Sequence, residues 1–255
     1  MNELQELQMQ YYELLLQQEF VESDLDYSIL ESHLPLLQRL AEVGNSGITV
    51  FDLHKKEHVF ASYNFGDLFG YDMQLVNKQG TDYFDSRVHP EDLVELTRNG
   101  ISLLKFFYQI PKEDRFNYKF VSEYRILGSG EKYVRIIEQH QPLELDKHGN
   151  LWLGLAVLDV SPNQNTEHGI KMQVINCKTG QILPLISESK SPELSKREIE
   201  ILSLVKQGFM SKEISEKLFI SIHTVNTHRQ RILEKLNVDN SMEAVGYALR
   251  LGLVE

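Results

Sequence analysis

The polar residues best placed to recognise another molecule lie close together near the end of the chain. Asn226 and Gln230 are four residues apart, so on a helix they lie on the same side, with Thr227 between them on the outer face. Carboxamide groups match the paired acceptor and donor of adenine in the major groove of DNA, and a threonine methyl suits the thymine methyl. The spacing therefore predicts a helix that recognises bases, with at least one A·T pair beneath it.

Four short helices must position these side chains, and their boundaries are marked in the sequence. Ser195 followed by Glu198 is the pattern of a capping box at a helix start. Ser211 and Ser221 are predicted to cap the second and third helices, which a tight turn connects, and a fourth helix is predicted over 241–251. Two short helices with a brief turn, the second with a polar outer face, fit a major groove.

Residues 191–255 resemble the DNA-binding domain of LuxR/NarL-type regulators. The matching positions keep a fixed register and include Leu194-Ser195-Lys196-Arg197-Glu198, Gly208, Ser211-Lys212-Glu213-Ile214, Thr224-Val225, His228-Arg229 and Lys235-Leu236-Asn237-Val238. The resemblance implies an all-α, four-helix domain whose third helix contacts bases and whose second helix steadies it on phosphates. The implied base contacts are Asn226, Thr227 and Gln230. The implied phosphate contacts are Ser211, Lys212, Thr224, Arg231 and Lys235. Asn226 stands where the family commonly has lysine, a departure that bears on one phosphate or guanine contact.

A different pattern precedes this segment. Short β-prone runs separated by turn residues flank a helical middle over roughly 65–108. The predicted strands cover 48–51, 59–61, 116–127, 133–141 and 151–159. Two strands, a helical middle and three antiparallel strands predict an α+β domain with a five-stranded antiparallel sheet.

Over residues 34–161 this order resembles a PAS sensor domain. The matching motifs are Gly47-Ile48 with Asp52, Asn64, Leu68-Phe69-Gly70-Tyr71, Val88-His89-Pro90-Glu91-Asp92, Glu123-Tyr124-Arg125 and Asp159-Val160-Ser161. The resemblance implies a domain that senses a signal and governs assembly or DNA binding. Its candidate ligand pocket is aromatic: Phe65, Phe69, Tyr71, Tyr83 and Phe84.

These five rings are bulky enough to fill a small cavity themselves. We therefore expect no bound cofactor, and a small apolar ligand or a protein as the signal. A PAS domain that carries haem as a gas or redox sensor is the alternative, and a Soret band in the purified protein would establish it. The flavin photosensor type needs a reactive cysteine, and residues 34–161 contain none.

Two segments connect or extend these domains. Residues 1–33 are predicted to be a helical extension with a heptad pattern at Leu4, Leu7, Tyr11, Leu14, Gln18, Val21 and Leu25. The pattern fits either a coiled coil that pairs two copies or a helix that covers its own domain. A homodimer would use this seam and the fourth C-terminal helix, with Val245, Ala248 and Leu249. Residues 162–190 are predicted to be a linker that contains a hairpin.

Charge is distributed unevenly along the chain. The net charge is −11, yet residues 191–255 hold nine basic and nine acidic side chains, so the earlier residues carry the whole imbalance. Global charge therefore does not argue for DNA binding, and what matters is whether basic groups share one face. The single cysteine excludes an internal disulfide. Without a secretory signal or an apolar run of ~20 residues, we expect a cytoplasmic protein that does not enter a membrane.

Several other function classes fit poorly. The sequence has no Walker loop, nucleophile elbow or dinucleotide fingerprint, so no enzyme and no catalytic residue is predicted. No histidine has metal-ligand spacing, and His228 is predicted to be a packed histidine with a satisfied ring. A response regulator would begin with a phospho-acceptor domain. A sigma factor, the remaining alternative, should have a helical, basic region before its helix-turn-helix. The sequence thus predicts a homodimeric regulator that binds double-stranded DNA and acts on RNA polymerase.

Overall fold

The chain folds into two compact units, each with its own apolar core. The computed structural model describes residues 2–165, 169–184, 194–236, 238, 240–250 and 253–254. Parts of the predicted linker, the start of the predicted 191–255 domain and Asn237 lie outside the described residues. Among the described helices, none combines the length and apolar composition needed to cross a membrane.

The first unit is an α+β structure. Its helices are α1 (Glu3–Leu15), α2 (Tyr27–Gly44), α3 (Phe65–Phe69), α4 (Met73–Gln79), α5 (Thr81–Arg87) and α6 (Pro90–Gln109). Two further 3-10 turns cover Glu22–Asp24 and Lys112–Asn117. Its strands are β1 (Gly47–Asp52), β2 (Glu57–Ala61), β3 (Tyr118–Leu127), β4 (Tyr133–Leu145), β5 (Leu151–Val160), β6 (Lys171–Asn176) and β7 (Ile182–Pro184).

All strands form one antiparallel sheet in the order β2-β1-β5-β4-β3-β6-β7. The first five are the predicted strands, and the predicted PAS-like, α+β class is confirmed. The predicted number of five is wrong, because the described residues contain seven strands in this sheet. The hairpin expected in the linker pairs with β3, from Tyr118 opposite Asn176 to Glu123 opposite Lys171. Without β6, β3 would be an edge strand with unpaired backbone N–H and C=O groups. Pairing with β6 gives these groups their hydrogen bonds.

The motifs Val88-His89-Pro90-Glu91-Asp92 and Glu123-Tyr124-Arg125 together connect α6 to β3. His89 caps α6 by accepting a hydrogen bond from the Glu91 amide at 3.3 Å, and Pro90 occupies the first helical position. The buried Asp92 carboxylate accepts bonds from the Arg125 amide, at 2.8 Å, and from the Arg125 guanidinium, at 2.6 and 3.0 Å. The motif therefore fixes the start of α6 against β3.

Gly47 lets two aromatic rings reach the sheet. A Cβ at this position would come within 2.8 Å of ring atoms of both Phe65 and Phe69. These rings belong to the core between the sheet and helices α3 to α6, together with Tyr71 and Tyr83. Because Gly47 has no side chain, α3 can pack closely against β1.

The N-terminal residues do not form one continuous helix. Helix α1 ends at Leu15, and Leu25 is buried beyond the first 3-10 turn in a core shared with α2 and the sheet. Tyr11 lies against α6, where a Cβ on Gly100 would come within 3.1 Å of its ring. The first four positions of the predicted heptad, Leu4 to Leu14, are all half-buried. This arrangement favours the helix that covers its own domain.

The second unit is all-α, as predicted. Its described helices are α7 (Lys196–Lys206), α8 (Ser211–Leu218), α9 (Ile222–Leu236) and α10 (Ser241–Arg250). Their apolar faces meet in one core of Ile201, Leu202, Ile214, Val225, Ile232, Leu236, Ala244, Val245 and Ala248. The capping box at α7 is present, since Ser195 and Glu198 exchange side-chain to backbone hydrogen bonds of 2.7 and 3.3 Å.

Candidate nucleic-acid interface and sensor cavity

Helix α9 has one buried face and one outward polar face. Ser221 caps it, since its Oγ accepts a hydrogen bond from the Thr224 amide at 3.0 Å. Val225, Ile232 and Leu236 are buried in the core of the unit. The spacing of these three positions fixes the rotation of the helix about its axis. Of the polar residues between them, Asn226, Thr227 and Gln230 consequently point away from the core.

The three predicted base contacts share this outward face. Asn226 is exposed, and among the described residues its carboxamide has no hydrogen-bond partner. The Thr227 hydroxyl donates to the His223 carbonyl at 3.0 Å, which leaves its methyl group as the free end of the side chain. Gln230 donates from Nε2 to Oε1 of Glu234 at 3.2 Å. Asn226 is thus free to meet a base edge, whereas Gln230 must first release Glu234.

The five predicted phosphate contacts divide into two kinds. Lys212 and Arg231 are exposed, and within the described part of the chain neither side chain has an ion pair or hydrogen bond. Both keep their full charge available to an anion. The other three already have partners in the unit: Ser211, Thr224 and Lys235.

Lys235 forms an ion pair inside the unit. Its ammonium donates to Oε2 of Glu198 at 2.7 Å, and Glu198 is only 3% exposed on its side chain. Burial by itself would raise the pKa of Glu198, but the bonds from Lys235 and Ser195 outweigh it and hold the pKa below its ordinary value. The pair joins the start of α7 to the end of α9.

Arg229 joins three helices. Its guanidinium donates to the Ser211 hydroxyl at 3.0 Å and to the Ser241 hydroxyl at 2.9 Å. These serines are the first residues of α8 and α10, so one side chain on α9 fixes both helix starts. This geometry holds α8 and α9 in the relative position that a helix-turn-helix requires.

Comparison with known proteins agrees with this geometry. Residues 192–248 match the family model of the luxR family of bacterial regulatory proteins. The oxygen regulatory protein NreC of Staphylococcus carnosus is 50% identical over 62 residues, which are 24% of this chain and 29% of that protein. NreC of Staphylococcus epidermidis is 47% identical over 72 residues, or 28% of this chain and 33% of that protein. The C-terminal unit belongs to the LuxR family. The chain spans about a third or less of the curated relatives it matches.

Two solved structures are also similar. The structure of the transcription factor GerE covers 26% of this chain and 97% of its own, at 36% identity and a TM-score of 0.25. The PAS domain of a protein from Colwellia psychrerythraea covers 55% of this chain and 99% of its own, at 16% identity and a TM-score of 0.38.

Three expectations about the LuxR-type domain need correction. Ser211 does not cap α8: Met210 precedes the helix, and its amide donates to Glu213 at 2.7 Å. His228 is partly buried as expected, but its ring is not fully satisfied, because among the described residues Nδ1 has no hydrogen-bond partner. Val245 and Ala248 are core residues and leave only Leu249 of the predicted α10 stripe exposed.

The bracing roles of Glu198 and Arg229 were not predicted. Glu198 was identified as a capping residue, but its partner Lys235 is 37 positions away, and helical spacing gives no information about such pairs. Arg229 follows Val225 by four residues and precedes Ile232 by three, so its position on the core side of α9 was a usable indication.

The first unit contains a cavity of about 560 Å³, a size typical of small-molecule sites. It lies between the inner face of the sheet and helices α1, α5 and α6. Of the five candidate pocket residues, Tyr71 and Phe84 line this cavity, whereas Phe65, Phe69 and Tyr83 are not among its described lining residues and pack in the adjacent core. The polar part of the wall comes both from the strands, with Thr49, Ser122, Glu138 and His140, and from α5, with Asp82 and Asp85.

Proposed function

We propose that the chain is a cytoplasmic, sequence-specific regulator of transcription whose first unit senses a signal and governs assembly or DNA binding. The observation that carries the DNA-binding part is the outward face of α9, where Asn226, without a side-chain partner among the described residues, lies beside Thr227 and one turn from Gln230. Such a face has no role in the core and has the chemistry of base recognition. Once bound to DNA, the protein would act on RNA polymerase.

Selection from random duplexes tests this proposal. The full chain is mixed with duplex DNA of random sequence, and bound molecules are amplified and sequenced through several rounds. We expect a half-site with at least one A·T pair, enriched as two copies in inverted orientation. Enrichment of no sequence over the starting pool would contradict sequence-specific binding.

Arg231 is proposed to contact phosphate. We expect Arg231→Ala to weaken binding to specific and random duplexes alike and to reduce the salt slope by about one unit, because one counterion-releasing contact is lost. Lys212→Ala should behave in the same way. Titrations of labelled duplexes at several salt concentrations measure the slope. The exposed Lys206, at the opposite end of α7 from the capping box, provides the matched control Lys206→Ala. Equal slopes for all three variants would exclude the proposed phosphate contacts.

A homodimer is proposed for two-half-site binding, and we infer that its surface is α2 rather than the predicted heptad seam. Leu36, Leu40 and Val43 are each more than half exposed and follow one another at spacings of four and three, so they form a stripe on one side of α2. A second copy of the chain would cover this stripe and bury its apolar area.

Leu40→Glu is expected to shift the sedimentation of the full chain towards monomer. It should also weaken binding to a two-half-site duplex and leave single-half-site binding unchanged, because the charge acts on assembly alone. Phe116→Glu introduces the same charge at an equally exposed apolar residue elsewhere in the unit and serves as control. A dimer that resists Leu40→Glu would exclude the α2 stripe as its interface.

A further inference from the structure

The register of the sheet places polar side chains on the wall of the cavity. Glu138 lies opposite Ser122 of the neighbouring strand, and His140 follows Glu138 by two residues on the same face. On the other side of β5, Thr49 pairs with Ala156, which in turn pairs with His140. All four polar residues line the cavity. A strand face that would normally be apolar is therefore polar here.

Glu138 has one occupied and one unoccupied carboxylate oxygen. Its Oε2 accepts from the Tyr124 hydroxyl at 2.8 Å and lies 3.0 Å from Nε2 of His140. Among the described residues, Oε1 has no hydrogen-bond donor. Burial would raise the pKa of Glu138, but the His140 charge and the two hydrogen bonds keep it below its ordinary value. The pKa of His140 is raised because Glu138 outweighs its burial. The two therefore form an ion pair, and Oε1 remains able to accept.

Two hydroxyls on the same wall also have no partner. Ser122 is 1% exposed and Thr49 is 4% exposed, and in the part of the chain that the structure describes neither hydroxyl makes a hydrogen bond. Polar groups inside proteins nearly always have a hydrogen-bond partner. Because both residues line the cavity, a bound molecule can supply the missing partners.

A second carboxylate faces the same cavity. Burial, helped by the charges of Asp82 and Glu138, raises the pKa of Asp85 to about 6. Burial lowers the pKa of His58 to about 4, so this histidine is neutral at pH 7. Among the lining residues that the structure describes, three carboxylates, Asp82, Asp85 and Glu138, then face two cations, Lys56 and His140. At neutral pH the cavity wall is therefore net negative.

Aromatic faces surround this charge. Tyr71, Phe84 and Phe51 line the cavity beside the polar wall, and Phe84 contacts both the Tyr71 and the His58 rings. The face of an aromatic ring attracts a cation, more strongly when the cation has left water. Acidic groups within an aromatic lining thus favour positive charge and disfavour negative charge.

We propose that the cavity binds a small organic cation, a protonated amine on an aromatic or short aliphatic body. The ammonium group has three N–H donors and no acceptor. Glu138 Oε1, the Asp85 carboxylate and the hydroxyls of Ser122 and Thr49 are the acceptors that this wall provides for them. The body of the amine contacts the aromatic part of the lining. This inference specifies the ligand class of the proposed sensor and rests on that function only for its effect on DNA binding.

The test compares three probes of nearly equal size on the full chain: phenethylamine, 2-phenylethanol and 3-phenylpropionate. Titration calorimetry measures their affinity for wild type, Glu138→Gln and Asp67→Asn. We expect the amine to bind at least tenfold more tightly than the alcohol and the carboxylate, and to lose at least tenfold in Glu138→Gln. Asp67 is exposed on α3 and outside the cavity, so Asp67→Asn should match wild type. Equal binding of all three probes, no binding of the amine, or full affinity in Glu138→Gln would overturn the proposal.

A second measurement remains informative if Glu138→Gln does not fold. Because the pKa of Asp85 is about 6, amine binding at pH 6 should ionise it and release a fraction of a proton. Calorimetry in two buffers with different ionisation enthalpies detects this release, and Asp85→Asn should abolish it. No proton release from wild type would count against the proposal. If the amine binds as expected but leaves the DNA affinity unchanged, the proposed sensor function is wrong and the proposed ligand class stands.

Discussion

Replacing Glu198 by alanine is expected to destabilise the LuxR-type domain by roughly 2–3 kcal/mol. This is less than the ~2.5–4 kcal/mol that a helix cap worth ~1 kcal/mol and a charged hydrogen bond worth ~1.5–3 kcal/mol would give together. Glu198 accepts from the Ser195 amide and from the Lys235 ammonium, both at 2.7 Å, so one substitution removes the capping box of α7 and its link to α9. Lys235 is 41% exposed and can be hydrated in the variant, which keeps the loss below that of a fully buried pair.

Hydrogen exchange of the full chain measures this loss in the domain concerned. The slowest amides of α7 and α9 exchange only when the whole domain opens, so their protection should fall by roughly 30- to 150-fold, at 1.4 kcal/mol for each factor of ten. Glu200→Ala is the matched control on the same helix, since within the described residues Glu200 makes only an exposed pair with Arg197. It should change stability by less than ~0.5 kcal/mol. Equal protection in the two variants would contradict the bracing role of Glu198.

The pH dependence of the same measurement has a definite sign. The folded domain holds the pKa of Glu198 below its ordinary value. Its contribution is therefore complete above the ordinary pKa and is lost as the pH falls through the lowered, folded value. We expect wild type and Glu198→Ala to differ most at neutral pH and to converge in acid. A difference that grows towards low pH would show that the carboxylate charge is not what stabilises the domain.

Local patterns were enough to predict much of the LuxR-type domain. The capping box, the Ser221 cap and the spacing of Val225, Ile232 and Leu236 determine where helices start and which side of α9 is buried, and the structure has all three. The braces at Glu198 and Arg229 depend on the packing of three helices. Their partners are distant in sequence, so no periodicity contains that information.

In the first unit, too, local features were predictable from the sequence and long-range contacts were not. Turn residues and β-prone runs predicted its five-strand order, but not the pairing of the hairpin β6–β7 with β3, which depends on an unpaired strand edge. The cavity wall was also missed. Aromatic residues in the helical middle suggested the pocket, whereas Glu138, His140, Ser122 and Thr49 of its polar wall lie on strands. The alternation of Glu138 and His140 with Ile137 and Gln139 could have indicated a polar inward face only once the register was known.

Asn226→Ala is expected to weaken binding to the best half-site by ~1–3 kcal/mol and to relax the preference at one base position. The Asn226 carboxamide is exposed and has no partner among the described residues, so no intramolecular bond must break before it contacts a base. Its paired donor and acceptor match the adenine edge, and alanine can replace neither. Titration of the selected duplex and of duplexes changed at single positions measures both effects.

Gln230 differs from Asn226 in that its side-chain amide already has a hydrogen-bond partner, so the two alanine variants can be compared directly. Its amide already donates to Glu234, so Gln230→Ala should cost less than Asn226→Ala on the same site. Glu234→Ala releases that amide and removes a negative charge that repels phosphate. It should therefore tighten binding to all duplexes and, at the position under Gln230, sharpen the preference for A·T. If instead both amide variants keep the wild-type preference, specificity comes from DNA shape and deformability, and these side chains only solvate the helix.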